Sequence, residues 1–304
     1  MMKKIIVVTL TTGSRNTTFN ECLLSLQALT NINGYKIDIL VVENNQHPDQ
    51  HVQKIISSYK NSEKCVKHLL EPIRGIPHAR NAALNFAKQE GYSYLAFIDD
   101  DAFASKGWIE NLVKTIETNN VASGPQLALF PESTETFYRN AAVYHERAIV
   151  DGEGIKWAAT NNILIDISFM EAKGLSFNPK LINGGEDKEL FLRVNQLGGK
   201  LIWSQSAVVS EHIAQSRLSV KWAMRRTFRI GATGFMIESS VKTPFMTYLS
   251  CIFKGGVYLT KGVLLLPYHA ISPKSSTLNS LCDLSHGIGF FYGLFSKGRV
   301  SKYT

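Results

Sequence analysis

The strongest constraint on the fold is a pair of nearly continuous apolar runs close to the start of the chain, residues 5–10 (IIVVTL) and 37–42 (IDILVV). Both runs are rich in β-branched residues, which is typical of strands covered on both faces in a parallel sheet. A helical pattern lies between them, and parallel neighbouring strands require such a crossover connection. The sequence therefore predicts that the chain begins with a β-α-β unit.

The same alternation continues along the chain. A second helical pattern follows Pro77, residues 94–98 form a short apolar run, and residues 108–117 show a third helical pattern. This order favours an α/β fold with a mostly parallel, doubly wound, Rossmann-like sheet, whose ligands bind beyond the carboxyl ends of the strands. Glu43 and the aspartates at 99–101 fall at such ends. Neither a Gly-x-Gly-x-x-Gly nor a Walker loop follows these strands, so the dinucleotide and P-loop versions of the fold are not supported.

Composition narrows the classes of partner. With 304 residues and 44% hydrophobic content the chain suits two globular domains, and its four cysteines include no CxxC pair that would indicate a zinc site. The net charge is +8, and the excess of basic over acidic residues lies largely beyond Lys188, which indicates an anionic partner for the C-terminal part. Because no nucleic-acid-binding motif accompanies this charge, we expect a phospholipid surface or a phosphorylated ligand and no nucleic acid.

Three consecutive carboxylates, Asp99, Asp100 and Asp101, follow an apolar strand directly. Like charges this close resist simultaneous ionisation unless a cation neutralises them. Oxygen ligands without cysteine favour Mg²⁺ or Mn²⁺, which commonly reach a protein through one or two carboxylates and the phosphates of a substrate. The alternative is that these residues cap the next helix and face solvent. An apolar strand that ends in three acids favours the metal site.

The segment FIDDDAF (97–103) resembles the aspartate motif of the family 2 glycosyltransferases, which are enzymes of the GT-A fold. The resemblance implies a nucleotide-diphosphate sugar as donor, with Asp101 as the principal metal ligand and Asp99 or Asp100 at the ribose. The strand end VVENN (41–45) resembles the first acidic position of that family, which implies that Glu43 contacts the base, although the family more often has aspartate there.

Two further segments complete the predicted donor site. RGIPHARNAAL (74–84) resembles the family segment in which an Arg-Asn pair opens a helix near the nucleotide, which implies roles for Arg74, Arg80 and Asn81. Thr11 and Arg15, in the segment after the first strand, belong to the same expected site.

The segment GGEDKEL (184–190) resembles the Glu-Asp motif of the family, whose aspartate is the catalytic base. The resemblance implies that Asp187 is the base and that Glu186 orients the acceptor or the base. This chemistry is plausible because an acceptor hydroxyl is a poor nucleophile until a positioned carboxylate takes its proton. The alternative is an acidic first helical turn that the helix dipole favours.

Less specific candidates lie around these motifs. His212 resembles the family's histidine after the catalytic segment and is expected in the metal shell or at the diphosphate, with a structural histidine as the alternative. Asn161, Asn162 and Arg217 are expected at the acceptor, with a polar turn as the alternative for the two amides. The processive Gln-x-x-Arg-Trp motif of the family is not reproduced, which favours addition of a single sugar.

Together the motifs predict a GT-A-like nucleotide-sugar-binding and catalytic domain over residues 1–215 and a helical, basic region over 216–304. The resemblance implies an inverting, Mn²⁺- or Mg²⁺-dependent transfer, with a UDP-linked sugar as the expected donor and a carbohydrate or lipid-linked acceptor in polysaccharide or glycolipid assembly. Two other classes remain open. One is a non-catalytic module that binds nucleotide sugars or phospholipids. The other is a nucleotidyltransferase, which is disfavoured because TLTTGSRN contains one glycine where a Gly-rich triphosphate loop is needed.

Residues 245–267 approach the length of a membrane span, but two lysines and three glycines interrupt them. Lys254 and Lys261 are seven residues apart on one helical face, opposite Ile252 and Val257. This pattern suits either a helix lying in a membrane interface or a helix packed on the catalytic domain. We expect a cytoplasmic protein with peripheral contact at the inner face of the membrane.

Overall fold

The computed structural model describes residues 2–298, which form two compact units. The first unit comprises the chain up to Leu127 together with residues 148–182 and 190–211, and the second comprises residues 128–147, 183–189 and the chain from His212 onward. No feature of the sequence indicates this interleaving, and the boundary predicted after residue 215 stays a prediction. The basic end of the predicted C-terminal region, residues 299–304, lies outside the described residues.

The strands of residues 2–298 are short to medium in length. In chain order they are β1 (Lys3–Thr11), β2 (Tyr35–Glu43), β3 (Val66–Leu70), β4 (Tyr94–Asp99), β5 (Ala102–Ala104), β6 (Val121–Ser123), β7 (Gln126–Leu129), β8 (Gly154–Ile155), β9 (Asn162–Asp166), β10 (Leu201–Trp203) and β11 (Val209–His212).

The helices of the same residues are longest near the C-terminus. In chain order they are α1 (Asn16–Gln27), α2 (Gln50–Ser58), α3 (Ile76–Gln89), α4 (Trp108–Ile116), α5 (Thr136–Arg139), α6 (Ile167–Ala172), α7 (Glu186–Gln196), α8 (Val220–Val241), α9 (Pro244–Leu264), α10 (Leu266–Ile271) and α11 (Thr277–Ser296), with 3-10 turns at Ala142–Tyr144 and Gln215–Arg217. None of these helices combines the length and the hydropathy that a membrane crossing requires.

The central sheet is mostly parallel, as predicted. Its eight strands have the order β3-β2-β1-β4-β9-β6-β10-β8, and a separate sheet has the order β5-β11-β7. Strands β3, β2, β1 and β4 are parallel to one another, and β9 runs antiparallel to both of its neighbours. Because β1, β2 and β4 are parallel, their carboxyl ends lie along one edge, where residues 43 and 99–101 follow.

Two hydrophobic cores cover the two faces of this sheet. Ile5 and Val7 of β1 belong to one core, whereas Ile6 and Val8 belong to the other. Side chains of a strand point alternately to opposite faces, so this division requires apolar residues at successive positions. The continuous apolar run in β1 is thereby explained.

The second unit contains closely packed helices. A side chain on Gly231 of α8 would place its Cβ 2.2 Å from the carbonyl oxygen of His286, and one on Gly289 of α11 would lie 2.2 Å from that of Phe228. Neither position therefore tolerates a larger residue unless the backbone shifts. Glycine lets α8 and α11 approach to near backbone contact.

A buried carboxylate connects α8 to α9 in this unit. Glu238 is 4% exposed, contacts Lys254 through Oε1, and lies 2.7 Å from Lys242 and 2.9 Å from the Ser250 hydroxyl through Oε2. Burial by itself would raise the pKa of Glu238, but the hydrogen bonds from Lys242, Lys254 and Ser250 lower it to about 2 from an ordinary value of 4.5. The charged form is therefore the one that the fold stabilises.

We predict that Glu238→Gln lowers the free energy of unfolding by about 2 kcal/mol at pH 7, because two lysines lose their buried partner. A carboxylate whose folded pKa is depressed contributes stability above its unfolded pKa, and that contribution is lost as the pH falls through the folded value. The difference between wild type and variant should therefore shrink between pH 4.5 and pH 2, as measured by urea unfolding across this range.

The matched control is Glu90→Gln, since the Glu90 side chain is 49% exposed and lies 3.8 Å from Lys67. It should change stability by about 0.5 kcal/mol or less. A Glu238→Gln protein as stable as wild type at pH 7 would contradict the assignment.

Candidate functional site

Two buried carboxylates occupy the carboxyl end of β4. The strand ends at Asp99, and a tight turn through Asp100 and Asp101 leads directly into β5. Asp100 is 6% exposed and Asp101 is 8% exposed. The sequence predicts that these acids lie at the carboxyl end of a strand inside the sheet. Their position agrees with this prediction, because β4 pairs with β1 on one side and β9 on the other.

Both carboxylates converge on a single guanidinium nitrogen. Arg15 lies in the loop between β1 and α1, and its Nη1 is 3.2 Å from Oδ1 of Asp100 and contacts Oδ2 of Asp101. The hydroxyl of Thr11, at the end of β1, also hydrogen-bonds Asp100. The side chain of Arg15 is 46% exposed, so positive charge reaches this pair of acids from the solvent side. The structure thus brings together four of the predicted site residues.

The negative charges of this cluster favour a nearby cation. Burial raises the pKa of Asp100 to about 6, and the neighbouring charges of Asp101 and Asp99 act in the same direction. Arg15 and the Thr11 hydrogen bond oppose the rise. Two adjacent buried carboxylates keep their charge only where positive charge is close.

The donor atoms fit a hard divalent cation. Asp100 and Asp101 offer oxygen alone, and Mg²⁺ or Mn²⁺ needs only one or two protein carboxylates when phosphate oxygens complete its shell. Within residues 2–298 no three or more His, Cys, Asp or Glu side chains form a group that could hold a metal. Two carboxylates are enough for a metal that the phosphates of a substrate also bind. His212 is exposed on β11, and its place in a metal shell stays a prediction.

Several protein groups hold the carboxylate of Glu43 at the end of β2. Its carboxylate is fully buried, accepting from the Asp49 backbone N–H at 2.5 Å and from Asn45 Nδ2 at 3.0 Å, and lying 2.9 Å from His68 Nε2. Both oxygens are thus engaged by protein groups. These contacts position the loop between β2 and α2, and the predicted contact of Glu43 with a base stays a prediction.

The Arg-Asn pair at the start of α3 is also turned toward the protein. The Asn81 amide donates to the carbonyl oxygen of Phe177 and accepts from its N–H, each at 2.8 Å. Arg80 is 7% exposed and lies 5.7 Å from the centroid of the Phe177 ring. Asn81 therefore fixes the segment at residue 177, and its predicted contact with the donor stays a prediction. Arg74 is exposed, and its role stays a prediction.

Sequence reasoning missed Asn44. Its Nδ2 donates to the carbonyl oxygens of Glu71 and Ile73, and its Oδ1 accepts from the N–H of Gly75 at 2.8 Å. Gly75 has a φ of 134°, a conformation that favours glycine, and it precedes α3. The signal was present in the first asparagine of VVENN, where an amide directly follows a buried strand.

The paired amides at the start of β9 divide between two environments. Asn162 is 0% exposed and accepts from Trp108 Nε1 at 2.7 Å, while its Nδ2 donates to the carbonyls of Pro125 and Ala207 at 2.9 and 2.6 Å. The amide of Asn162 is thus used within the core, and its acceptor role stays a prediction. Asn161 is half-buried and donates to Gln126, so its acceptor role stays a prediction.

The catalytic candidates lie in the second unit. Glu186 is 4% exposed, and half-buried Asp187 accepts from the Lys188 backbone N–H at 2.6 Å. Gly184 and Gly185 reach this turn with φ values of 106° and 90°, and a Cβ on Gly185 would lie 2.8 Å from Cδ1 of Ile237. The backbone that leads to Asp187 is thus restricted to glycine.

Arg217 belongs to an aromatic cluster of the same unit. Trp222 stacks on Tyr144 with ring centroids 5.6 Å apart, and the guanidinium of Arg217 lies 6.0 Å from the Trp222 centroid. The hydroxyl of Tyr144 donates to the Arg217 carbonyl oxygen at 2.7 Å. These contacts fix the 3-10 turn Gln215–Arg217. Acceptor binding by Arg217 stays a prediction.

We predict that Asn162→Leu lowers the free energy of unfolding by about 3 kcal/mol, because two carbonyls and an indole N–H lose a buried partner. Urea unfolding at neutral pH measures the change. Asn85→Ala is the control, since Asn85 is exposed on α3 and alanine favours a helix. If both variants were as stable as wild type, the structural role of Asn162 would be refuted.

Comparison with known proteins identifies the family to which this chain is similar. Residues 5–170 match the sequence model described as Glycosyl transferase family 2. The chain is 27% identical over 218 residues to the succinoglycan biosynthesis protein ExoM of Rhizobium meliloti, which covers 70% of this chain and 69% of that protein. It is 22% identical over 325 residues to the glucosyl-dolichyl phosphate glucuronosyltransferase of Haloferax volcanii, with 99% of each chain covered.

Solved structures share the fold. GalNAc-T7 with UDP, GalNAc and Mn²⁺ has a TM-score of 0.58 at 15% identity, over 80% of this chain and 52% of that one, so this chain spans about half of its length. The S. aureus TarS 1-349 structure in complex with UDP-GlcNAc has a TM-score of 0.51 at 15% identity, over 89% of this chain and 74% of that one. Identity this low shows the fold alone, and the predicted GT-A fold is confirmed.

Proposed function

The chain belongs to glycosyl transferase family 2, and from that membership we propose that it transfers a single sugar from a UDP-linked donor to an acceptor hydroxyl with inversion at the anomeric carbon. A glycosyltransferase must hold a diphosphate leaving group whose negative charge grows as the bond to the sugar breaks. The observation that carries the proposal is the convergence of buried Asp100 and Asp101 on one cationic nitrogen of Arg15.

The donor is assigned to the edge of the sheet at β4. Asp101 and Asp100 would hold Mn²⁺ or Mg²⁺, which when bound neutralises charge on the diphosphate. Arg15 provides a second, permanent positive charge beside the same acids, and its guanidinium is suited to phosphate oxygens. Asp99 completes the segment on the ribose side. The GalNAc-T7 and TarS structures contain UDP and UDP-GlcNAc, which supports uridine as the base.

The acceptor is activated by a carboxylate in this proposal. Asp187 takes the hydroxyl proton as the acceptor oxygen forms its bond to the anomeric carbon, and the bond from that carbon to the diphosphate oxygen breaks in the same step. Attack from the face opposite the leaving group inverts the configuration. Glu186 orients the base or the acceptor. The support is the Glu-Asp motif, which follows the aspartate motif in the order of the family, and the constrained glycine turn before it.

The acceptor class follows from the relatives and the charge of the chain. One relative is named for succinoglycan biosynthesis and the other for glucuronosyl transfer to glucosyl-dolichyl phosphate. A chain with net charge +8 suits a lipid-linked sugar whose phosphate is anionic. We therefore assign the enzyme to polysaccharide or glycolipid assembly on the cytoplasmic side of a membrane.

Donor binding tests the carboxylate site. With UDP and Mn²⁺ present, wild type should melt at a higher temperature than without them, since a ligand at about 100 times its Kd adds roughly 2.7 kcal/mol of stability. Asp101→Asn should lose most of this gain, because the metal loses a charged ligand. Asp151→Asn is the control, since Asp151 is exposed and an amide oxygen can still accept from the Gln205 N–H. An equal gain in the Asp101 variant would exclude the residue as a ligand.

Transfer itself tests the base. Asp187→Asn should lower kcat by about a hundred- to ten-thousand-fold, because an amide cannot accept the proton. Binding of UDP with Mn²⁺ should be unchanged. Product formation is measured by mass spectrometry with UDP-glucose, UDP-GlcNAc and UDP-glucuronate, each offered with glycosyl polyprenyl phosphates and oligosaccharides.

The control variant is Asp166→Asn, because Asp166 caps α6 and asparagine caps a helix equally well. Unchanged turnover by the Asp187 variant would remove that residue from the role of base. Donor binding by wild type without product from any acceptor would favour the alternative of a non-catalytic binding module.

A further inference from the structure

Helix α9 exposes large apolar side chains along one side. Phe245, Leu249, Ile252, Phe253, Val263 and Leu264 are each 49–75% exposed in the described part of the chain. Their spacing places them on one face of the helix, which we call the outward face of α9. A single exposed apolar residue is ordinary, but a continuous stripe of this size marks an interaction surface.

The polar residues of α9 point the other way. Lys254 contacts the buried carboxylate of Glu238, and Lys261 lies 3.1 Å from Asp283 of α11. Thr247 and Cys251 are buried on this inner side. The two lysines lie opposite the apolar face and pair with acids of the protein, while their side chains remain 37% and 50% exposed. The charges of α9 therefore lie on one side of the helix, and the large exposed side chains of its outward face are apolar.

The sequence around this face carries no negative charge of its own. Between Glu238 and Asp283 there is no Asp or Glu, and four lysines occur, at 242, 254, 261 and 274. Three of these lysines pair with Glu238 or Asp283, whereas Lys274 is exposed just after α10. Exposed Tyr268 and Ile271 in α10 extend the apolar character. Four lysines against the two acids that bound this segment leave it with net positive charge, so an apolar and anionic partner suits this surface.

We infer that the outward face of α9 docks on the surface of an anionic phospholipid bilayer, with its apolar side chains among the acyl chains and Lys274 at the headgroups. Amphipathic helices lie in the interface in this way, and aromatic residues such as Tyr268 prefer the headgroup level. A second copy of the chain is the competing occupant, but it would present the same acid-free, lysine-bearing helices and offer no opposite charge. The inference extends the membrane-side placement in the proposed function and identifies the surface responsible.

Vesicle flotation of the full chain tests the inference. Wild type should float with vesicles of phosphatidylcholine containing about one third phosphatidylglycerol, bind pure phosphatidylcholine less, and lose binding as salt rises. The double variant Phe253→Gln/Leu264→Gln should bind the anionic vesicles about tenfold more weakly, because two exposed apolar groups no longer enter the bilayer. Its melting temperature should equal that of wild type, since both side chains are exposed.

Leu24→Gln is the matched control, because Leu24 is 54% exposed on α1 of the other unit, and its vesicle binding should equal that of wild type. The Asp187→Asn protein should also bind vesicles fully, so a failure of the proposed catalytic role is distinguishable from a failure of docking. Absence of wild-type binding, equal binding by the double variant, or a dimer in light scattering that the double variant dissolves would each overturn the inference.

Discussion

Charge compensation at the end of β4 is the constraint on which the site depends. An apolar strand in the middle of a sheet ends in acids that the fold then buries, and burial raises the pKa of Asp100 to about 6. Arg15 compensates from the loop after the neighbouring strand, so β1 and β4 must stay in parallel register for the acids to keep their charge. A diphosphate donor with a divalent ion meets the same requirement from outside. Because the pKa of Asp100 stays raised beside Arg15, further positive charge at this site would stabilise its ionised form.

Polar side chains in the same unit form hydrogen bonds that stabilise the fold and that a sequence motif does not predict. Asn44, Asn81 and Asn162 each bond main-chain groups of distant segments, and Glu43 closes the loop after β2. Such residues occur at strand ends and near ligands because loops there lack the main-chain partners that a sheet supplies. Position in a motif and contact with a ligand are therefore separate properties. Asn44 and Glu43 have this supporting role, because they fix the loops that follow β2 and β3.

The sequence predicts an element well where one physical requirement, such as burial on both faces of a strand, acts on several consecutive residues. Burial on both faces demands the unbroken apolar runs of β1 and β2, and these strands were predicted almost to their ends. Helix α2 and strand β3 were missed, since α2 buries only Val52 and β3 is an edge strand whose residues are half-buried or exposed. The antiparallel direction of β9 and the interleaving of the two units depend on contacts between distant segments. No local pattern encodes these contacts, and for the same reason the sequence does not predict the hydrogen bonds of Asn162 to Pro125 and Ala207.

The spacing of the lysines in α9 is compatible with two different environments for their charges. Lysines seven residues apart suggested a polar face turned to water or headgroups, yet in the fold they neutralise Glu238 and Asp283. Both lysines pair with these acids while staying partly exposed, so α9 keeps its charges on one side and its exposed apolar side chains on the other. The same lysine spacing therefore fits two arrangements, and the positions of Glu238 and Asp283 in the fold decide which groups neutralise the lysines.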